Sequence, residues 1–432
     1  MQNNCKYANK MLIEEFSFGN FRSFKDIQTL RMSAAKIKSS NKKLDTQNVL
    51  TVNEKTKLLK SKVIYGANAS GKSNVIKALL CFKFFILKSI TADLPFMFSP
   101  FEYSVETENE PCFFQLTFYL KGKKYRYGFE ISKQQIHNEW LYMTDVREIP
   151  VFIREGQKII KISKTHMPKA YEISILKTKL FTEKVLFLSL VETFGDKLAE
   201  SLLSSIKSIT VYNPEYSTLD FFTGFLKKNT KLIPDTFDFL KYADTNIQNL
   251  KLIKITEDSD NSDDNNSIFV SVHPKYNESL EKVSSVDMVF DLSESEGTKQ
   301  MLDLSPLITE ALRSGSPIVI DEFGSQLHPL LTKKIFSLFN SDNNNSSQII
   351  AATHTTELMS SDLLRKDQID FVEKDTYGRS YLYTLVEIKG IRNTASFEDD
   401  YFKGKYGAIP FLGNWEELEK ICNKTTETQD EP

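Results

Sequence analysis

Apolar positions in the first half of the chain recur mostly at the period of two that marks strands. Residues 13–24, IEEFSFGNFRSF, alternate aromatic with small or polar side chains and predict a strand pair near a sheet edge. Residues 63–65, VIY, predict a short buried strand, followed by a glycine-bearing turn and a helix from about 72 to 89. Residues 112–120 and 123–131 are β-rich, and Lys121-Gly122 between them is a two-residue hairpin signal. A second hairpin is expected from 149–154 and 158–163 around Glu155-Gly156-Gln157. Together these predict an antiparallel β lobe over 99–163, inserted after the first helix. Residues 170–255 show helical spacing, and DSDNSDDNN at 258–266 is acidic, free of apolar residues and expected to be a mobile loop. From 286 to about 375 the pattern is strand, helix, strand, helix, with an apolar helix at 301–312. Neither an internal repeat nor a long heptad array is present.

Composition narrows the class. At 432 residues the chain holds roughly three domain-sized units at ~150 residues each. Lys+Arg total 55 and Asp+Glu 57, for a net charge of −2, which excludes a dedicated nucleic-acid coat. Any DNA contact must come from a local patch. The stretch holding Lys36, Lys38, Lys42, Lys43, Lys55, Lys57, Lys60 and Lys62 is the candidate, read either as a solvated loop or as a phosphate-backbone contact. Cys5, Cys81, Cys112 and Cys422 lie far apart without CxxC pairing, which disfavours a disulfide framework or zinc site and fits a reducing cytosol. The opening MQNNCKYANK lacks a secretory apolar stretch, and the greasiest run, 78–90, is broken by Lys83 and Lys88. A soluble cytoplasmic protein without membrane contact is expected.

The strongest chemical signal is Gly66-Ala67-Asn68-Ala69-Ser70-Gly71-Lys72-Ser73, which satisfies GxxxxGKS between a predicted strand and a predicted helix. Gly66 and Gly71 let successive N–H groups turn toward phosphate oxygens. Lys72 reaches the β/γ-phosphates, Ser73 can ligate Mg²⁺, and the helix N-terminus adds its dipole. Downstream, Ser316-Pro317-Ile318-Val319-Ile320-Asp321-Glu322 is an apolar strand ending in an acidic pair. Beside a phosphate loop, Asp321 would hold the Mg²⁺ shell and Glu322 would polarise the attacking water. Gln348–His354 is a further apolar strand ending in His354, a residue that is either simply hydrogen-bonded or a γ-phosphate sensor. Ser295-Glu296-Gly297-Thr298 opens a helix and is either a plain cap or an anion-binding N-terminus.

The order of P-loop, β lobe, Ser-x-Gly loop, acidic strand and His strand resembles the ABC-type ATPase heads of Rad50, SMC and RecF proteins over nearly the whole chain. The resemblance implies an α/β P-loop NTPase of the ABC-ATPase head type, with a mixed central sheet and helices plus a β lobe and a helical lobe. It places the ATPase core at 1–98 and 286–415, the β lobe at 99–163, the helical lobe at 164–285 and a tail at 416–432. Ser295 and Gly297 then look like the signature loop, acting in trans, and Ser325-Gln326-Leu327-His328 like the D-loop, with Ser325 its leading residue and His328 where Asp is common. NFRSF at 20–24 is similar to the opening strand of RecF-like heads, and Gln115 is the candidate Q-loop glutamine.

Within that superfamily the tail segments Leu364–Ile369, Phe371–Lys374, Gly378-Arg379-Ser380 and Gly404–Phe411 resemble the AAA-15/AAA-21 ATP-binding group, including RloA-like and AbiL-type abortive-infection ATPases. The missing coiled coil sets Rad50 and SMC proteins apart, and about 55 residues after Asp375 are too few for the TOPRIM domain of OLD-family nucleases. The resemblance implies ATP and Mg²⁺ as cofactors, a homodimer or higher homo-oligomer, and a nearby-encoded RloB-like effector or nuclease partner. The expected function is an ATP-hydrolysing sensor or regulator in anti-phage defence. A RecF-like repair ATPase that touches nucleic acid, or a scaffold that binds ATP without turnover, are the alternatives.

Overall fold

The computed structural model describes residues 10–91, 98–175, 182–214, 226, 230–242, 246–254, 267–344, 346–410 and 419. Short apolar runs build its central sheet. Ser61–Tyr65, Ile318–Ile320 and Ile349–Ala352 are buried at every position, as a parallel strand covered on both faces must be. The strand order is Thr210–Tyr212, Ile318–Ile320, Ile349–Ala352, Ser61–Tyr65, Ile369–Lys374, Ser380–Thr384. All neighbours are parallel except the last pair, an antiparallel hairpin. Alternation splits these strands between two cores. Ile64, Val319, Ile350, Ala352 and Val372 face one core, and Val63, Tyr65, Ile318, Ile320, Ala351 and Phe371 face the other.

The first core holds the helix Lys72–Lys88, packed between the parallel sheet and a seven-stranded antiparallel sheet. Phe82 stacks on Phe129 with ring centroids 5.5 Å apart, and Phe16 and Phe85 complete the aromatic layer. The antiparallel sheet runs Lys158–Ile162, Glu148–Glu155, Ile136–Thr144, Lys123–Ile131, Cys112–Leu120, Leu12–Gly19, Gln28–Arg31. Lys121 (φ 52°) and Gly122 (φ 78°) form the expected tight hairpin turn, both in the left-handed region. The β segment is therefore not a sheet of its own. It continues the sheet begun by Leu12–Gly19, and the predicted 13–24 strand pair is one strand whose edge partner is Gln28–Arg31.

Two further expectations are corrected. The 164–285 region holds helices at Pro168–Ile175, Phe187–Thr193, Lys197–Lys207 and Ile233–Tyr242, but also a three-stranded antiparallel sheet of Asn249–Lys254, Ser267–Tyr276 and Lys282–Val289. The β-branched, alternating SIFVSV segment pairs on both sides, which a helix could not do. The lysine stretch is not one surface patch. Lys60 and Lys62 are buried, with Lys62 paired to Asp370 at 2.8 Å and Lys60 donating to the Ser341 carbonyl, while the other six lysines are exposed. The acidic tract 258–266, Cys5 and Cys422 lie outside the described residues. Cys81 and Cys112 are free and buried. Among the described residues no helix is long and apolar enough to cross a membrane.

Candidate functional site

The carboxyl ends of the parallel strands converge on one cleft of about 400 Å³. Strand Ser61–Tyr65 runs into Gly66, where a Cβ would overlap the Val372 carbonyl, so only glycine fits. Gly71 (φ +117°) ends the loop; a Cβ there would sit 2.7 Å from Ser380 Oγ and 2.8 Å from Ser23 Oγ. Asn68, Gly71, Lys72 and Ser73 all line the cleft. Lys72 Nζ donates to the Gly66 and Ala67 carbonyls at 2.8 and 2.9 Å. Burial lowers its pKa to about 8, against the opposing pull of Asp321 and Glu322. Because only the charged amine holds an anion, affinity for a phosphate ligand should fall as pH rises through about 8. Calorimetry at pH 8 in two buffers of different ionisation enthalpy should show proton uptake on binding, since a bound anion restores the charged form.

Asp321 lies buried at the end of Ile318–Ile320. Its Oδ1 accepts from Ser73 Oγ at 3.2 Å and from the Glu322 N–H at 3.1 Å, and Oδ2 accepts from Asn213 Nδ2 at 2.9 Å. Burial raises its carboxyl pKa, the Ser73 and Glu322 hydrogen bonds opposing. A buried carboxylate oxygen facing a hydroxyl is a hard-oxygen donor pair suited to Mg²⁺. Glu322 is exposed in the cleft and adopts φ +51°, a strained conformation that turns the chain sharply at the strand end. His354, from the neighbouring strand, lines the same cleft, and burial together with Lys72 lowers its pKa, so the ring is neutral at pH 7.

The remaining predicted residues lie elsewhere. Ser295 caps the helix Glu296–Ser314, its Oγ accepting from the Thr298 N–H at 3.2 Å, so that helix starts five residues before the expected 301. Gly297 packs so closely that a Cβ would sit 2.7 Å from the Gln326 carbonyl, and Gln300 Nε2 reaches Ser325 Oγ at 3.4 Å. Ser295, Gly297 and Ser325 do not line this chain's cleft. His328 caps the helix Pro329–Asn340, Nδ1 accepting from the Leu330 N–H. Gln115 is not at the site: its Oε1 is held by Arg126 and Trp140 in the antiparallel sheet. Asn213 escaped the sequence reading, because a lone Asn after the strand Thr210–Tyr212 carries no spacing signal.

A loop cradle, a hydroxyl–carboxylate pair and an adjacent exposed carboxylate, all at the carboxyl edge of a parallel sheet, define an ATPase domain of the P-loop class. The family model described as "AAA domain, putative AbiEii toxin, Type IV TA system" matches residues 63–360, and the chain belongs to that family. Comparison with curated proteins gives no match. Among solved structures the chain is similar to the SMC head domain from Thermotoga maritima, with 13% identity and a TM-score of 0.38 over 86% of this chain and 98% of that one. It is also similar to an Smc head bound to the C-winged helix domain of ScpA, with 13% identity and a TM-score of 0.41 over 86% and 98%. For the Smc head with an extended coiled coil bound to the C-terminal domain of ScpA, derived from Pyrococcus furiosus, the values are 13% and 0.43 over 87% and 96%.

Proposed function

We propose that the protein binds and hydrolyses Mg-ATP at a site completed by a second copy of itself, and that this cycle controls a partner effector in anti-phage defence. The observation that carries the ATPase reading is the Ser73–Asp321–Asn213 cluster beside Lys72 and Glu322. Gly66, Asn68, Gly71 and Lys72 would hold the triphosphate, and Ser73 and Asp321 the metal, which supplies charge neutralisation at the phosphates when bound. Glu322 would orient the attacking water, and neutral His354 would hydrogen-bond the γ-phosphate side of the cleft.

The trans arrangement is supported by the position of Ser295 and Gly297 at the start of a capped helix, and of Ser325 against Gln300 of that helix, all outside their own cleft. Glu322→Gln should therefore show a larger solution mass with Mg-ATP than without, whereas Lys72→Ala should not respond. A constant monomer mass in both would sink the shared site and leave Ser295 as a helix cap. The defence role rests on the tail motifs and on the family description, which names a toxin system. With Lys60 and Lys62 buried and the overall charge near neutral, a protein effector fits better than a RecF-like grip on DNA.

A further inference from the structure

Lys374 ends the strand Ile369–Lys374 and lines the nucleotide cleft beside Lys72, Ala69 and His354. An exposed lysine at a strand end is ordinarily just solvated. Two observations set this one apart. Its neighbour Glu373 points the opposite way, as period two requires, where its Oε2 lies 3.2 Å from the Tyr383 hydroxyl, so the Lys374 stem is committed to the cleft face. Its cross-strand partner is Ser380, which is fastened to the phosphate loop itself: Ser380 Oγ donates to the Ser70 carbonyl at 2.5 Å, and its N–H donates to Ser23 at 2.7 Å. The hairpin turn between them is braced by Asp375, which accepts from the Tyr377 and Arg379 N–H groups at 2.9 Å.

The side-chain partners of the cleft cations differ as well. Lys72 is occupied by two loop carbonyls, whereas among the described residues Lys374 has no hydrogen-bond or ion-pair partner. The two carboxylates of the cleft, Asp321 and Glu322, offset two lysines, and without Lys374 they would outnumber the cations there. A metal–triphosphate complex retains more negative charge than its diphosphate counterpart, so a second cation in the cleft would favour the triphosphate.

We propose that Lys374 is a second phosphate-contacting cation, supplied by the C-terminal strand, which favours the triphosphate over the diphosphate. This assignment rests on the nucleotide reading proposed above. The test is equilibrium binding of ADP and of the non-hydrolysable β,γ-imido analogue of ATP, both with Mg²⁺, to the full chain and its variants. Lys374→Gln should weaken the triphosphate analogue at least about tenfold while ADP changes less than about threefold, and Lys374→Arg should recover most of the loss. Equal weakening of both ligands, or no weakening of either, would overturn the proposal. Lys374→Met, with a second uncharged stem, must give the same pattern, so a folding defect peculiar to one variant cannot stand in for the effect. Lys72→Ala is the separate control: if it weakens neither ligand, the phosphate-loop reading itself fails, whatever Lys374 does.

Discussion

Glu322→Gln is expected to lower ATP turnover at least about a hundredfold while leaving Mg-nucleotide affinity within about threefold, because a positioned general base contributes ~10²–10⁴ to a rate and little to binding. The environments of the two carboxylates fit the two proposed roles. Asp321 is buried and committed on both oxygens, to Ser73 and the Glu322 N–H through Oδ1 and to Asn213 through Oδ2. Glu322, one residue later, is exposed to the cleft; its N–H donates to Asp321 and its carbonyl accepts from the Ser325 N–H, while among the described residues its carboxylate makes no hydrogen bond or ion pair. The φ of +51° at Glu322 throws its side chain off the strand direction, and a glutamine inherits the same backbone and shape. Only the charge that would polarise water is removed. Phosphate release measured beside equilibrium binding distinguishes the outcomes. Turnover near wild type would move the water-activating role to another cleft group. Absence of turnover in the wild type itself would favour the scaffold that binds ATP without hydrolysing it.

His354 bears on the same question. Burial and the nearby Lys72 depress its pKa, so around neutral pH it offers a neutral imidazole rather than a cation. A neutral ring can hydrogen-bond a phosphate or a water, but it adds no charge against the triphosphate. On the proposed reading, charge stabilisation would then fall to Lys72, the metal and Lys374, and proton handling to Glu322.

What the sequence made legible was chemistry carried by contiguous residues. A phosphate cradle needs its glycines, lysine and serine within eight positions, and the strand–loop–helix context around Gly66–Ser73 appears as expected. The Lys121-Gly122 hairpin is equally local, because only left-handed φ values close that turn. What escaped were pairings made across the fold. Asn213 meets Asp321 over 108 positions, and Lys62 meets Asp370 over 308. No window of sequence reveals that two distant strands lie side by side. The three-stranded sheet was missed for a related reason: its strands lean on each other across the 258–266 tract, while short apolar runs alone do not separate strand from helix. Lys374 sat within a recognised tail motif, yet the role proposed for it rests on its place in the cleft and on the Ser380 tether to the loop, both of which only the fold reveals.

Lys62 illustrates how far tertiary context can reverse a compositional reading. It belongs to a lysine-rich stretch, yet its side chain is 1% exposed and that of its partner Asp370 2%. They sit on adjacent parallel strands, and Thr384 Oγ1 donates a further 2.7 Å bond to the same Asp370 oxygen. Removing one partner of a buried pair strands the other charge, so Lys62→Met should cost about 3–5 kcal/mol in denaturant unfolding. Adding Asp370→Asn should recover at least about half of that, since the double variant buries no lone charge. The pH dependence has a definite sign. Burial already raises the Asp370 pKa, Lys62 and Thr384 opposing, and removing Lys62 raises it further. Between the unfolded value of about 3.9 and that raised value, the folded state of the variant binds the extra proton. Wild type takes up the same proton below its own, less raised value, so the variant's deficit should be smallest at low pH and grow only as pH rises from the wild-type Asp370 value to the variant's. A deficit that ignores pH, or that Asp370→Asn deepens, would count against the stranded carboxylate. An unchanged unfolding midpoint accompanied by weaker DNA binding would return Lys62 to the surface patch its neighbours form.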